Sequence, residues 1–173
     1  MMLDFAGDGA VISDCGRYRY RLDRHIGGAG PVYAFFGVNP STADASQDDA
    51  TVRKWRGFCQ RYGASRFIVG NAFAFRATDV RELRAALDPV GPEWRVHMER
   101  IIAEAGILVP CWGSSGKVPR ELRDHLLTLA GVLRGTGKPV KCWGRVASGD
   151  PVHPLMLAYT TPLVDFDIME GQR

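Results

Sequence analysis

Two patterns of apolar residues alternate along the chain, and together they predict its elements. Continuous apolar runs bounded by glycine or proline are typical of strands that are buried on both faces of a parallel sheet. Such runs predict four core strands, at Val32–Phe36, Phe67–Phe73, Gly106–Gly113 and Pro139–Trp143. Before them, arginine alternates with tyrosine in Tyr18–Leu22, which predicts a first strand ahead of a glycine-rich turn.

Between these runs, apolar residues recur every three or four positions, which predicts amphipathic helices. The helices are expected at Thr51–Tyr62, Asp79–Leu87, Gly91–Ala105 and Pro119–Leu133. Asp79 is expected to cap the second helix, and loops are expected at Asn39–Asp49 and Asp150–Leu157. Strands that alternate with helices predict an α/β fold, here a three-layer α/β/α domain with a central, mainly parallel four-stranded sheet.

The composition fits one globular domain, since the chain has 173 residues, of which 46% are hydrophobic and 24% charged. No internal repeat or linker divides it, so residues 1–173 are expected to form a single domain. No apolar run approaches the roughly 20 residues that a membrane span needs. The start of the chain, Met1–Phe5, lacks the basic residues and the long apolar stretch of a signal peptide. We therefore expect a cytoplasmic protein that does not bind a membrane.

The charge pattern allows two interpretations of the first predicted strand. The formal net charge is +3, a mild basic excess that is compatible with a polyanionic partner. The alternation of arginine and tyrosine from Arg17 to Arg21 suits contacts to phosphates and stacking on bases. An amphipathic edge strand with a solvated arginine face explains the same pattern and is the simpler interpretation.

Four cysteines, Cys15, Cys59, Cys111 and Cys142, are spread along the chain without any Cys-x-x-Cys pair. Short spacings of that kind usually mark zinc and iron–sulfur sites. In a cytoplasmic protein, the expectation is four reduced thiols, mostly buried. The sequence therefore predicts no metal site and no cofactor.

Small and polar residues follow the predicted core strands. Gly37-Val38-Asn39-Pro40-Ser41 follows the first strand, Asn71 lies near the end of the second, and Trp112-Gly113-Ser114-Ser115 ends the third. In parallel sheets, ligands bind at the carboxyl ends of the strands. This edge of the sheet is therefore the predicted functional site.

These strand ends resemble, in order, the motifs of the uracil-DNA-glycosylase superfamily over about residues 32–157. The first loop of that superfamily is similar to Gly37–Ser41, and its base-reading asparagine motif is similar to Asn71-Ala72-Phe73-Ala74. Its later strand is similar to residues 109–115, and its closing His-Pro-Ser-Pro-Leu motif to His153-Pro154-Leu155.

The chain resembles more closely the domain-of-unknown-function 1643 family of bacteria and phages. It carries the Asn-Pro-Ser-Thr-Ala-Asp, Phe-Arg-Ala-Thr-Asp, Asp-Pro-Val-Gly-Pro and His-Pro-Leu motifs of that family. They lie at Asn39–Asp44, Phe75–Asp79, Asp88–Pro92 and His153–Leu155.

The glycosylase resemblance implies roles for three of the strand-end residues. Breaking an N-glycosidic bond builds positive charge on the sugar and negative charge on the departing base, so the site needs a positioned water and donors to the base. The resemblance implies that Asn39 positions the water, that His153 donates to the base, and that Asn71 pairs with the polar edge of the base. Each has a structural alternative: Asn39 as a loop cap, His153 as a packed histidine, and Asn71 as a partner of turn backbone.

Asp44, Asp48 and Asp49 follow the first strand end, where consecutive aspartates usually form a solvated helix start. If this loop folds over the site, Asp44 is the expected general base. Ser41, Thr42, Ser114 and Ser115 suit phosphate contacts through their hydroxyl and backbone groups. Trp112 suits either stacking on a base or packing in the core. The expected substrate-binding residues are Gly37, Val38, Pro40, Ser41, Thr42, Asn71, Phe73, Arg76, Trp112, Ser114, Ser115 and Lys117.

Departures from the glycosylase pattern bear on the substrate. Asn39 stands where the uracil-specific enzymes carry aspartate, as in the mismatch-specific branch, and the serine of the usual wedge motif is missing after His153-Pro154. No lysine lies within the four motifs as a Schiff-base nucleophile, which argues against lyase chemistry. We expect a monomeric, monofunctional DNA glycosylase that removes a hypermodified pyrimidine, such as a glucosylated or hydroxymethylated one, from phage DNA in antiviral defence.

Three other functions stay open at this point. The first is an enzyme that acts on free nucleosides or nucleotides in the same site. The second is a catalytically inactive module that binds modified DNA. The third is a metal-dependent hydrolase that uses Asp44, Asp48 and His153.

Overall fold

A five-stranded mixed sheet forms the centre of the structure, a computed structural model in which residues 7–166 are described. Its strands are β1 (Gly9–Ile12), β2 (Arg19–His25), β3 (Tyr33–Phe36), β4 (Arg66–Val69) and β5 (Ile107–Pro110). Their order across the sheet is β1-β2-β4-β3-β5. β3 pairs in parallel with β4 and β5, whereas β1 and β2 form an antiparallel hairpin that is added to β4.

The mixed α/β class is confirmed, but the expected mainly parallel, four-stranded sheet is corrected: the sheet has five strands, and two of its four pairings are antiparallel. The last expected strand is not one of the five. The predicted strand at Pro139–Trp143 makes a single parallel bridge, from Val140 to Leu108. Its next residues form β6 (Lys141–Cys142), which pairs antiparallel with β7 (Val164–Asp165) in a second sheet. Gly144, directly after this segment, has a φ of +101°, a backbone conformation that favours glycine.

Strand β2 corrects the expectation of an edge strand with a solvated arginine face. It lies between β1 and β4, and six of its seven residues are buried. Arg21 pairs with Asp23 and Glu104, and Arg24 pairs with Asp48, so carboxylates take the place of water around these guanidinium groups. On this side of the sheet, the edge strand is β1.

Three α-helices confirm the helices predicted from apolar periodicity, although the second and third begin a few residues later than expected. They are α1 (Ala50–Tyr62), α2 (Trp94–Glu104) and α3 (Arg123–Arg134). The side chain of Asp49 caps α1 by accepting a hydrogen bond from the backbone N–H of Val52. Gly63, with a φ of +65°, ends the helix in the left-handed conformation that favours glycine.

The segment expected as a further helix at Asp79–Leu87 is a 3₁₀ helix, Val80–Ala85. Asp79 caps it as predicted, since its side chain accepts a hydrogen bond from the N–H of Arg81. Only Leu83 of its residues is buried, so little apolar surface is available to stabilise a longer helix. Shorter 3₁₀ segments lie at Ser115–Lys117, Arg120–Leu122 and Pro154–Met156.

Side chains on the two faces of the sheet form two apolar cores. Tyr33 and Phe35 belong to one core, and the alternate residues Ala34 and Phe36 belong to the other. Helix α1 packs in the first core, where the ring of Trp55 stacks on Phe35 with 5.3 Å between centroids. Helices α2 and α3 pack in the second. Full burial of each large apolar side chain stabilises the fold by roughly 1.5–3 kcal/mol.

Two further expectations concern the membrane and the cysteines. None of the helices within residues 7–166 is long and apolar enough to cross a lipid bilayer. The expectation about a signal peptide concerns Met1–Phe5, which lies outside the described residues. Cys59, Cys111 and Cys142 are buried free thiols, and Cys15 is an exposed one.

Candidate active site

A cleft of about 490 Å³ lies where the parallel strands end. Residues that directly follow β3, β4 and β5 line it, together with the start of α1 and the loop that follows β6. Nine of the expected site residues are among its lining: Gly37, Val38, Asn39, Ser41, Asn71, Trp112, Ser114, Lys117 and His153. The carboxyl edge of the sheet therefore brings together residues that are far apart in the sequence.

Gly37 and Asn71 approach each other closely at this edge. A Cβ atom on residue 37 would lie 2.9 Å from Oδ1 of Asn71, so only glycine fits there without a shift. Asn71 is buried, and its backbone carbonyl accepts a hydrogen bond from Nε1 of Trp94 at 2.8 Å. Its side-chain amide makes no hydrogen bond to another residue in the described range. Both a donor and an acceptor thus remain for a ligand in the cleft.

The side chain of Asn39 is held by two backbone carbonyls. Its Nδ2 donates to the carbonyl oxygen of Ala77 at 2.8 Å and to that of Pro40 at 3.1 Å. These acceptors define the orientation of the amide, because the opposite orientation would place Oδ1 against two oxygens. Oδ1 accepts no hydrogen bond from residues 7–166, and it is the atom that remains for a ligand or a water.

His153 is oriented by the turn that it begins. It caps the 3₁₀ helix Pro154–Met156, and its Nδ1 accepts a hydrogen bond from the backbone N–H of Leu155 at 3.3 Å. Burial, followed by the charge of Lys117, holds the pKa of His153 below its usual value, while Asp49 acts in the opposite direction. The ring is therefore neutral at neutral pH. Because Nδ1 accepts, the proton lies on Nε2, which offers a donor to the cleft.

Asp150, which the sequence analysis did not single out, anchors the loop that carries His153. Its carboxylate accepts hydrogen bonds from the N–H of Ser115 at 2.8 Å, from Oγ of Ser115 at 2.7 Å, and from Oγ of Ser148 at 2.6 Å. Nε1 of Trp112 also donates to it, at 3.4 Å. Ser115, an expected substrate contact, therefore binds within the protein and does not line the cleft. Residues 115 and 150 are far apart in sequence, so no local pattern predicts their contact.

Asp49, rather than Asp44, is the loop aspartate that lines the cleft. The carboxylate of Asp44 accepts hydrogen bonds from the N–H groups of Ser46 and Gln47, both at 2.9 Å, and so closes its own turn. These hydrogen bonds, with that from Ser46 first, hold the pKa of Asp44 below its usual value. The general-base role expected for Asp44 has no geometric support, because its carboxylate is turned to its own backbone.

The three residues expected for a metal-dependent hydrolase do not come together. Asp48 forms ion pairs with Arg24 at 2.6 Å and with Arg56 at 3.1 Å, and neither Asp44 nor Asp48 lines the cleft with His153. Within residues 7–166, no three His, Cys, Asp or Glu side chains form a group that could hold a metal ion.

Four further expected contacts lie outside the cleft lining. Phe73 is fully buried in the second core because the strand extension after β4 turns it inward. Arg76 donates from Nη1 to the carbonyl oxygen of Gly16 at 3.2 Å. Pro40 and Thr42 lie in the loop that starts at Asn39, where the carbonyl of Pro40 accepts a hydrogen bond from the backbone N–H of Ala77 and Thr42 is exposed.

Comparison with known proteins places the chain in a family. Residues 19–155 match the family described as "Protein of unknown function (DUF1643)". The chain belongs to the DUF1643 family. No curated protein and no solved structure matches it. Every residue of the cleft lining, from Arg19 to His153, falls within the segment that matches the family.

Three of the four DUF1643 motifs contribute residues to the cleft. Asn39 and Ser41 come from the first, Thr78 and Asp79 from the second, and His153 from the last. The remaining motif, residues 88–92, pairs with the segment that follows β4: the N–H of residue 74 donates to the carbonyl of residue 90, and that of residue 75 to the carbonyl of residue 89. Three of these motifs therefore meet at the cleft although they are far apart in the sequence.

Six residues that the sequence did not mark as site residues also line the cleft: Arg19, Thr51, Trp55, Thr78, Asp79 and Val80. Arg19 is the most informative of them. It starts β2, which runs antiparallel to β4, so the beginning of β2 lies at the same edge as the carboxyl ends of the parallel strands. The arginine–tyrosine alternation was the available signal, but its simpler interpretation as a solvated strand is wrong.

Proposed function

We propose that the chain is a monofunctional DNA glycosylase, which hydrolyses the N-glycosidic bond of a flipped-out modified base and leaves an abasic site. The observation that carries this proposal is that three groups with different hydrogen-bonding roles line one cleft. They are the acceptor Oδ1 of Asn39, the amide of Asn71 with its donor and acceptor, and the donor Nε2 of His153. Their positions are those that resemble the glycosylase motifs. The proposal includes a glycosylase-like, three-layer arrangement of α1, the sheet, and α2 with α3.

Asn39 provides an acceptor for the attacking water. Its Oδ1 has no protein partner within residues 7–166, while Nδ2 is tied to two carbonyls, so the oxygen is both free and fixed in position. An amide oxygen is a weak base, so it orients a water without deprotonating it beforehand. The positive charge that develops on the sugar makes the bound water more acidic, and Asp49 is the cleft carboxylate that can accept its proton.

His153 and Asn71 act on the departing base. The neutral imidazole donates from Nε2 to a base oxygen, where negative charge develops as the bond breaks. The free amide of Asn71 pairs a donor and an acceptor with the polar edge of a pyrimidine. Gly37 allows this amide to lie against the strand end, because any side chain there would collide with Oδ1 of Asn71.

Two exposed apolar residues follow His153-Pro154 and fit the step that extrudes the base. Leu155 is 40% exposed and Met156 is 90% exposed, on the 3₁₀ turn that His153 caps. Apolar side chains of this kind enter the base stack and occupy the space of an extruded nucleotide. This position supplies a wedge although the serine of the usual motif is missing.

The size of the cleft supports a modified base as the substrate. About 490 Å³ is within the range of small-molecule sites and exceeds the space that a bare pyrimidine ring fills. The cleft has room beyond the ring for a hydroxymethyl or glucosyl group. Because such bases are characteristic of phage DNA, we propose antiviral defence in the bacterial cytoplasm as the biological role.

A base-release assay tests this function. The purified protein is incubated with duplexes that carry uracil, hydroxymethylated or glucosylated pyrimidines, or unmodified bases, and the products are heated in alkali to cut abasic sites. We expect strand cutting with one modified base, and its loss in Asn39→Ala and His153→Ala. Arg95→Ala, at an exposed position on α2 outside the cleft lining, is the control and should cut as wild type does.

Absence of abasic sites from every duplex, with folded protein, would overturn the proposal. A salt titration of DNA binding then separates the alternatives, because neutralisation of several phosphates makes duplex affinity fall steeply with salt. Steep salt dependence without base release indicates a binding module. Weak and nearly salt-independent binding indicates an enzyme that acts on free nucleosides or nucleotides.

A further inference from the structure

Arg19 is a buried cation without a carboxylate partner in the described range. It is 3% exposed and lines the cleft. Its Nη1 donates to the backbone carbonyl of Ala43 at 2.6 Å, and its guanidinium group makes no other hydrogen bond to residues 7–166. A guanidinium group has five N–H donors, so most of its capacity is unused by the protein.

The other buried arginines of β2 show what such a charge requires. Arg21 pairs with Glu104 at 2.7 Å, and Arg24 pairs with Asp48 at 2.6 Å. A charge taken out of water is destabilising unless an opposite charge and hydrogen bonds compensate for it. Burial lowers the pKa of Arg19 to about 10, which leaves it charged at neutral pH. The charges of Asp49 and Asp44 act on Arg19 favourably but form no ion pair with it, so an anionic ligand in the cleft can supply the direct counter-charge.

The remaining charged groups of the cleft leave room for one negative charge. Lys117 adds a second cation, and Asp49 adds a carboxylate that already accepts the N–H of Val52. The carboxylate of Asp79 is paired with Arg81. Two cations and one free carboxylate give an excess of one positive charge, which matches the single charge of a phosphodiester.

We propose that Arg19 anchors a phosphate subsite, which binds the phosphate group next to the target nucleoside. Ser41 and Thr51 line the cleft with it, and their hydroxyls form no hydrogen bond within the described residues, so they supply further donors. The planar fork of arginine binds two phosphate oxygens at once. The identity of the bound nucleoside rests on the proposed function. The need for a phosphate is inferred separately, from the charge and the hydrogen-bond donors of the cleft.

The subsite is tested with DNA that cannot be cleaved. One duplex carries a tetrahydrofuran abasic analogue, and matched duplexes replace one flanking phosphate at a time with a neutral methylphosphonate. For wild type, one replacement should weaken binding about 10- to 100-fold, as expected for loss of a charge-assisted hydrogen-bonded contact. Arg19→Gln should bind the unmodified duplex equally weakly and lose nothing more on replacement. Arg17→Gln removes an exposed arginine and should discriminate as wild type does.

A second arm identifies the source of the phosphate. Calorimetry compares a deoxynucleoside with its 5′-monophosphate, for wild type, Arg19→Gln and Arg17→Gln. If wild type binds the monophosphate more tightly than the deoxynucleoside, but binds all the duplexes with equal affinity, the subsite is assigned to free nucleotides. Melting curves establish that each variant is folded. If Arg19→Gln is not, Arg19→Lys, which keeps the charge and a donor to Ala43, should show intermediate discrimination.

Two results would overturn the subsite: equal binding of charged and neutral ligands by wild type in both arms, or full discrimination by folded Arg19→Gln. Neither measurement requires base release, so the test of the subsite is independent of the test of the glycosylase activity. An inactive protein that still requires the phosphate through Arg19 refutes only the glycosylase. An active protein that ignores the phosphate refutes only the subsite.

Discussion

The nitrogen and the oxygen of the Asn39 side-chain amide have different roles. Nδ2 ties the loop to the carbonyl oxygens of Pro40 and Ala77, and Oδ1 is left for the cleft. An aspartate in this place would direct a carboxylate oxygen at both carbonyls. Asn39 is therefore the side chain that fits this loop, and a charged residue would be disfavoured by repulsion.

Asn39→Asp is expected to lower base release at least about 10-fold near neutral pH, because repulsion from two carbonyls displaces the side chain. The same repulsion raises the pKa of the new carboxyl, so mild acid should restore part of the activity by restoring a donor. Single-turnover rates across a pH series measure both effects. Asn39→Ala lacks both ends of the amide and serves as the control; if its pH profile matched that of Asn39→Asp, this account would be wrong.

His153 predicts a second pH dependence. Burial and the charge of Lys117 lower its pKa, and the neutral ring is the form whose Nδ1 accepts from Leu155. Activity that depends on the neutral ring is full above the pKa and falls as the pH drops through it. Base release should therefore stay level from alkaline pH down past the usual histidine value of about 6.5.

Measured rates for wild type and Lys117→Gln check this expectation for His153. Removal of the Lys117 charge raises the pKa of the ring, so the acid limb of the variant should move to higher pH. Thr42→Ala, at an exposed position outside the cleft lining, should leave the limb unchanged. A wild-type limb above pH 6.5, or one that Lys117→Gln moves to lower pH, would contradict the neutral-ring role.

At the scale of elements, apolar runs were sufficient to predict β3, β4, β5 and the three helices, since burial on both faces leaves a strong pattern. They also located the cleft, because polar residues directly after buried parallel strands share one edge. The pattern was insufficient for Arg19, whose antiparallel strand brings its beginning to that edge. It was also insufficient for Asp150, whose partners Ser115 and Trp112 meet it only through long-range folding.

Asp150→Ala tests whether one side chain holds two elements of the cleft together. The change removes the acceptor for Ser115 and Ser148, and it leaves a partly buried N–H without its partner. The free energy of unfolding should fall by roughly 1–3 kcal/mol. Base release should fall more than stability alone explains, because the loop that carries His153 loosens.

Denaturant titration and single-turnover rates, measured on the same preparations, separate the two effects of Asp150→Ala. Asp165→Ala, which removes an exposed ion pair with Lys141, is the control and should change stability by less than about 1 kcal/mol. Wild-type rates in a destabilised Asp150→Ala would mean that the loop is held without this carboxylate.

Over the whole molecule, one ion-pair network joins the antiparallel and parallel parts of the sheet to a helix. Glu104, the last residue of α2, binds Arg21 of β2 at 2.7 Å and Arg66 of β4 at 2.8 Å. Arg66 also binds Asp23 at 3.0 Å. This network lies on the strand that presents Arg19 to the cleft, so the position of the proposed phosphate subsite depends on the integrity of the sheet.

Protonation of Glu104 in acid should weaken its ion pairs with Arg21 and Arg66, and thus lower the free energy of unfolding, within a defined pH range. Hydrogen bonds from Arg21 first, with those from Arg66, hold the pKa of Glu104 at about 2 against the opposing effect of burial. Because its pKa is higher in the unfolded chain, about 4.5, the unfolded chain takes up the proton first. The contribution of Glu104 is therefore full above pH 4.5 and falls steadily as the pH drops toward 2.

Urea titrations of wild type and Glu104→Gln at several pH values measure that contribution as the difference in free energy of unfolding. The difference should be constant from pH 7 to about 5 and shrink below it, because protonated Glu104 and glutamine are then similar in charge. Glu99→Gln, in an exposed pair with Arg95 on the same helix, should show a small difference at neutral pH. A Glu104→Gln difference as large at pH 3 as at pH 7 would mean that the network is held by geometry and burial rather than by the charge of Glu104.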